Sequence, residues 1–140
     1  EYELESLHSN KKFTPSSRYN LTNLFRSMFA LELENRLKKT SISVAVAHPG
    51  VTKSTQSRPY EVKKFKKSFY TYFSTNIQTG IAPIVKAIEQ DNVSADAVHA
   101  PRVLGFYGTP STMRHNKLVY NKDLRNKLWT FTANELNLNL

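Results

Sequence analysis

At 140 residues the chain has the length of one ordinary domain, and 39% hydrophobic residues suit a globular chain with a real core rather than wholesale disorder. The absence of cysteine excludes disulfides and thiolate metal sites, and no run of about 18 apolar residues marks a transmembrane helix. The formal charge of +9 attracts nucleic acid, anionic membrane or acidic partners in general. The basic residues are spread along the chain, however, and are dense only in "KKFKK" at 63–67. No zinc-finger spacing or aromatic RNA-binding signature accompanies them, so nucleic acid is not an expected partner.

The opening "EYELESLHSNKK" lacks the apolar core of a signal peptide. Together with the missing cysteines, this suits a cytoplasmic chain. The first residue is Glu1 rather than methionine, which points to a processed or partial sequence. A polar loop runs to about Ser17, with Pro15 as a breaker. From Ser17 to about Lys39 the pattern is helical. Leu21, Leu24, Phe25 and Met28 recur at spacings of three and four, and Leu33 and Leu37 continue the apolar side less cleanly. Ser16 or Ser17 is the expected N-cap, and Glu32 and Arg36 are placed to pair on the exposed side.

"TSISVAVAHPG" follows, at 40–50. Ile42 to Ala47 form a nearly uninterrupted β-branched and small apolar run, as in a strand buried on both faces. Pro49-Gly50 then stops it. A long helix, a short buried strand and an abrupt turn suggest an α/β unit. Residues 60–74, "YEVKKFKKSFYTYFS", read as a second helix with Val62, Phe65, Phe69 and Tyr72/Phe73 as an aromatic stripe. Packing on its own domain is the plain reading of that stripe. A membrane-surface helix and an aromatic wall around an apolar ligand are the sharper ones.

Thr79 is the expected cap of a third helix with Ile81, Ile84, Val85 and Ile88 inward. "VLGFYGT" at 103–109 reads as a short strand running into a turn. A last helix, about 121–136, puts Leu124, Leu128 and Phe131 on one side, with Trp129 as its anchor.

Sites of known chemistry are sparse. The four histidines, at 8, 48, 99 and 115, have no metal-ligand spacing, so no metal is expected. His48 ends a strand, where a structural hydrogen bond is the expected role. No G-x-S-x-G accompanies the serines. With four glycines the chain has neither G-x-G-x-x-G nor a phosphate-binding loop.

An ordered series of segments nevertheless resembles one family. "YNLTNL" at 19–24 is similar to the Tyr-x-x-Ser-Lys-Leu segment of short-chain dehydrogenases/reductases, with Thr22 at the serine, and "FALELENRL" is similar to the rest of that helix. "ISVAVAHPGVTKS" resembles the next strand and its Pro-Gly cofactor loop. "GFYGT" resembles a Tyr-Tyr-Gly-Pro segment. "DLRNKLWTFTANEL" resembles the closing Leu-Trp helix of the branch that includes retinol-dehydrogenase-like and WW-domain-oxidoreductase-like enzymes.

The resemblance covers nearly all of residues 1–140 but only the C-terminal half of that family's domain. It implies an α/β fold, the C-terminal part of a doubly wound parallel sheet of Rossmann type. The glycine-rich dinucleotide loop and the catalytic serine would belong upstream of Glu1. Ser6 lies thirteen residues before Tyr19, a spacing some members use, but its context "ELESLHSNKKF" looks more like an insertion that moves the serine upstream. Half of such a sheet leaves an edge and a face uncovered, so the isolated chain is expected to be poorly stable or to associate.

The resemblance also implies an activity: hydride transfer between NAD or NADP and an alcohol or carbonyl substrate, an apolar one if the aromatic stripe lines the site. Tyr19 would exchange a proton with the substrate oxygen. The family's lysine four residues on, which favours phenolate and binds the cofactor ribose, is here Asn23. An amide still hydrogen-bonds a ribose but carries no charge, and each pKa unit of lost assistance corresponds to about 1.4 kcal/mol. Pro49, Gly50, Val51 and Thr52 would lie beside the nicotinamide, backbone groups meeting its carboxamide, and Ser54 stands where the family usually has threonine. Association into a homo-oligomer through the helix carrying Tyr19 is implied as well. Two other readings stand beside this one: a non-catalytic relative with a binding or regulatory role, marked by the lost lysine, and a basic interaction module acting through "KKFKK".

Overall fold

The computed structural model describes residues 14–53 and 74–138. Ser6, Ser54, "KKFKK" and the whole aromatic stripe, Val62 to Phe73, lie outside the described residues. The chain divides into two compact units, one containing the residues up to Val44 and from His115 onward, the other Ala45–Arg114.

The first unit is helical. Helix α1 spans Pro15–Leu37. Its cap is Thr14, whose hydroxyl oxygen accepts from the Ser17 N–H at 3.1 Å, and Pro15 is the first helical residue. Proline is favoured there because its φ suits the helix and its missing N–H would have been unpaired in any case. The sequence signals of breaker and serine cap are therefore both displaced by a residue or more.

A 3-10 helix, Lys117–Tyr120, leads into α3, Lys122–Glu135, which is capped by Asn121 Oδ1 accepting from the Leu124 N–H. Met28 and Leu31 of α1, Val119, and Leu128 and Ala133 of α3 make the buried core of this unit. Phe29 stacks on Trp129 at 4.9 Å between ring centroids, which bears out the expected anchor. Glu32 is not on the exposed side. It is 6% exposed and receives Arg36 Nε at 3.0 Å and Arg125 Nε at 3.5 Å. Arg125, itself buried, also donates to the Val119 carbonyl at 3.0 Å. A buried carboxylate is tolerated when opposite charge and donors surround it, and here they arrive from two helices.

Among the described residues the second unit holds three strands and one helix. Strand β1 is Val46–Ala47, α2 is Ile77–Ile88, β2 is Ala97–Val103 and β3 is Tyr107–Arg114. The strand order is β1-β2-β3; β1 pairs parallel with β2 in the register Val46 to Val98 and Ala47 to His99. β2 pairs antiparallel with β3, from Ala97 opposite Arg114 to Val103 opposite Tyr107.

This mixed sheet of three strands overturns the doubly wound parallel sheet expected from the sequence. The reason lies in "VLGFYGT", which is a reversal rather than a strand entering a turn. Leu104 and Gly105 have φ of 52° and 73°, and the Phe106 N–H donates to the Val103 carbonyl at 2.9 Å. Positive φ at both central residues is the hairpin-turn pattern, and so short a connection forces an antiparallel return; a parallel strand needs a crossover of about a dozen residues or more. Pro101 and Pro110 face each other where the ladder is irregular, a place that tolerates the missing N–H groups.

Two further expectations are corrected. Only Val46 and Ala47 of the apolar run pair as a strand, and Ile42 is 60% exposed. In α2 the cap is Asn76, whose Oδ1 accepts from the Thr79 N–H at 2.7 Å. Its buried side consists of Gly80, Pro83 and Ala87, while Ile77, Ile81, Ile84, Val85 and Ile88 are exposed. Among the described residues no helix is long and apolar enough to cross a membrane.

Leu104 is 78% exposed and holds a left-handed conformation that opposes an L side chain by about 1–2 kcal/mol. Leu104→Asn, which creates an Asn-Gly turn, should therefore stabilise the protein by about 1 kcal/mol. A raised urea midpoint at unchanged slope is the expected result; a lowered midpoint would contradict the turn assignment.

Candidate functional site

Tyr19 and Asn23 sit one turn apart near the start of α1, in the first unit. Residues four apart on a helix share a face. Tyr19 is 55% exposed and Asn23 is half-buried. Among the described residues neither the phenol nor the amide is held by a hydrogen bond, whereas Thr22 turns its hydroxyl back to the Arg18 carbonyl at 2.9 Å. The helix therefore presents a phenol and a neutral amide on one side, with no cation between them.

Pro49, Gly50, Val51 and Thr52 belong to the second unit and follow the carboxyl end of β1. The chain there is bonded on successive sides. The His48 N–H donates to the His99 carbonyl at 2.8 Å and so prolongs the parallel ladder. The Gly50 N–H donates to His48 Nδ1 at 2.9 Å. The Val51 N–H donates to the Phe106 carbonyl at 3.1 Å, which ties the loop to the hairpin turn.

Beyond Val51, a parallel bridge joins Thr52 to Thr75. The Thr75 N–H donates to the Val51 carbonyl at 2.8 Å and the Lys53 N–H to the Thr75 carbonyl at 2.9 Å. Peptide groups alternate in direction along an extended chain. A bridge made by Val51 C=O and Lys53 N–H therefore turns the N–H and C=O of Thr52 the other way. Among the described residues neither Thr52 group has a hydrogen-bond partner.

Two glycines let this loop lie where it does. Gly50 has φ +76°, and a Cβ there would meet the Phe106 carbonyl and stand 2.8 Å from Pro101 Cγ. Gly80, in the first turn of α2, faces Thr52, and a Cβ there would run into Thr52 Cγ2. The loop is thus clasped between the hairpin turn and the start of α2.

His48 is half-buried, and burial pushes its imidazole below the usual histidine value because it disfavours the charged ring. Accepting through Nδ1 fixes its neutral tautomer, with the proton on Nε2. The expectation of a structural hydrogen bond at His48 matches this. Gly80, Thr75 and Phe106 were not singled out in the sequence; only Gly80, a lone glycine inside an apolar helix, carried a local signal of close approach. Ser54 lies outside the described residues. Among the described residues no group of three His, Asp or Glu side chains is placed to hold a metal ion.

A nicotinamide ring carries a primary carboxamide, with one carbonyl acceptor and an NH2 donor. Thr52 offers the complementary pair, one N–H and one C=O, on an edge held by two main-chain bonds. The donor and acceptor of Thr52 are chemically complementary to such a carboxamide. On α1, Asn23 carries a neutral amide and no charge.

No family model matches the chain, and no curated protein matches it. Among solved structures, an uncharacterised protein from Mycobacterium paratuberculosis is similar in fold, with a TM-score of 0.69 and 19% identity over 96% of the present chain and 44% of that one. The chain thus spans less than half the length of this neighbour. The likeness is one of fold.

The clasp makes a prediction with an unusual sign. Ala for Gly inside a helix ordinarily adds about 1 kcal/mol of stability. Gly80→Ala should instead lower it, and Thr52→Ser, which deletes Cγ2, should recover most of the loss in the double variant. Urea unfolding of the four proteins measures the coupling; a stabilising Gly80→Ala would show that the loop does not lie against α2.

Proposed function

We propose that the chain belongs to an oxidoreductase of the short-chain dehydrogenase type, acting on an alcohol or carbonyl substrate with NAD or NADP. The observation that carries this reading is Thr52, whose N–H and C=O, unpaired among the described residues, are held on a bonded edge after a parallel strand. Thr52 follows the carboxyl end of β1, which pairs parallel with β2. The remaining support is the resemblance of the segments around Tyr19, Pro49-Gly50 and Trp129 in order along the chain. The three-stranded mixed sheet adds nothing to it.

In this reading the bound cofactor supplies or accepts the hydride. Thr52 N–H would donate to the carboxamide oxygen and Thr52 C=O would accept from its NH2. Asn23 would hydrogen-bond a ribose hydroxyl. The Tyr19 hydroxyl gives a proton to the substrate oxygen in reduction and takes one in oxidation. Asn23 carries no charge that would favour a phenolate at Tyr19. Proton transfer through Tyr19 would therefore be slower than with a lysine at that position. The aromatic residues of 60–74 suggest an apolar substrate.

Asn23 also favours a second reading, a non-catalytic relative that binds a nucleotide and signals or scaffolds. Asn23→Lys in the intact protein separates the two. The oxidoreductase reading expects about a tenfold to hundredfold gain in carbonyl reduction at pH 7. It also expects a loss of more than about a hundredfold in that variant when Tyr19→Phe is added. No reduction of any carbonyl substrate by Asn23→Lys, with nucleotide binding retained, would leave the second reading.

A further inference from the structure

We propose that His48 is a pH-sensitive latch on the Pro49–Thr52 loop, closed when its ring is neutral and opened when Nδ1 takes a proton. Its consequence for dinucleotide binding rests on the function proposed above; the latch itself rests on the loop.

The geometry is that of a side chain accepting from the main chain two residues on. The Gly50 N–H points at His48 Nδ1 at 2.9 Å. Asparagine and aspartate commonly make this turn through their side-chain oxygen. An imidazole nitrogen occupies the same place, but unlike an amide oxygen it can be titrated. Protonated Nδ1 is a donor, and two N–H groups would then face each other across the turn. The bond would be lost where the loop has least slack. Gly50 has φ +76° and abuts the Phe106 carbonyl and Pro101, so the loop cannot settle by turning Gly50 towards the hairpin. Release would instead act on Val51 and Thr52, next along the chain.

Burial sets the sign. The elements packed against β1 are β2 and α2. Their titratable or charged side chains are His99 and Arg102 on β2 and Lys86 on α2, while Lys53 lies in the loop and Tyr107 and Arg114 on β3. Among the described residues none of these is bonded to the His48 ring, and burial is the cause of its lowered value. The closed loop therefore binds the proton less readily than an open one. Above the ordinary histidine value of about 6.5 both states are neutral and the latch holds fully. As pH falls below that value the open state takes protons first, and closure weakens until the pH passes the lowered value. An acid pulse within the physiological range would thus loosen the edge that Thr52 presents.

The test compares the wild type, His48→Asn and His48→Ala in the intact protein between pH 7.5 and 5. Protection of the Gly50 amide against hydrogen exchange is followed together with the affinities for NAD and NADP. His48→Asn supplies an acceptor that does not titrate. In the wild type, protection should fall by up to about tenfold for each pH unit below 6.5, until the lowered value is passed. In His48→Asn it should stay flat, and in His48→Ala it should be low throughout. Nucleotide affinity should follow protection. Wild-type protection as flat as that of His48→Asn overturns the latch, and this comparison stands even if His48→Ala does not fold. If protection responds as stated but no variant binds NAD or NADP at any pH, the latch holds and the dehydrogenase reading fails.

Discussion

The structure of the second unit depends on how one short segment distributes its peptide hydrogen bonds. From His48 to Lys53 the chain has no regular partner strand of any length among the described residues, yet a buried or half-buried peptide group cannot go unpaired without loss of stability. The solution is piecemeal: a carbonyl of β2, an imidazole, a carbonyl of the hairpin turn and two groups of Thr75 each take one bond. Because these partners come from four different places, the segment cannot slide in register. At Thr52 the peptide edge is fixed in direction by the bonds on both sides of it, and among the described residues its own N–H and C=O are not bonded. Under the proposed function, this edge would meet the cofactor.

The neighbouring elements are shaped to permit this. α2 meets the loop at Gly80, which faces Thr52 and Pro49, and Gly80, Pro83 and Ala87 are the buried residues of the helix. Small side chains let the helix come close, and its isoleucines are displaced to the adjoining arc, where they stay exposed. The hairpin contributes a carbonyl rather than a side chain, and it does so because Leu104 and Gly105 adopt positive φ and return the chain at once. In the first unit a buried carboxylate plays the corresponding part: Glu32 is gripped by Arg36 of its own helix and Arg125 of α3, with Arg36 also lying 4.4 Å over the Trp129 ring. There α1 and α3 are joined by charge as well as by the stacked Phe29 and Trp129.

The sequence was most legible where structure is local. The periodicity of Leu21, Leu24, Phe25 and Met28 marks α1, and Leu124, Leu128 and Phe131 mark α3, whose expected bounds lie within a residue of those observed. It was least legible where the outcome depends on distant partners. Large apolar residues in α2 suggested an inward face, but the buried side carries the small residues Gly80, Pro83 and Ala87, with Gly80 close against the loop. Ile42 looked like strand core, but among the described residues no neighbouring strand reaches it. Glu32 looked like a surface ion-pair partner because Arg125, its second cation, is far along the chain. The mixed sheet could have been suspected from the brevity of "LGF" between two β-rich segments, a local signal that the resemblance to a parallel fold outweighed. Near β1, the abrupt Pro49-Gly50 bend was legible, and Gly50 takes its positive φ there. The free edge of Thr52 was not, because it is defined by the bonds its neighbours make with Thr75 and Phe106.

Whether Thr52 takes up a carboxamide is measured most directly by the backbone 1H, 15N and 13C=O shifts of the loop as NAD or NADP is added to the intact protein. The nicotinic acid analogue, which lacks the carboxamide NH2, serves as comparison. With the natural cofactor the Thr52 N–H and C=O resonances should move most, while those of Gly50 and Val51 stay nearly still. The analogue should leave the Thr52 carbonyl in place. Saturable binding with no change at Thr52, or an equal change with the analogue, would contradict the proposed recognition.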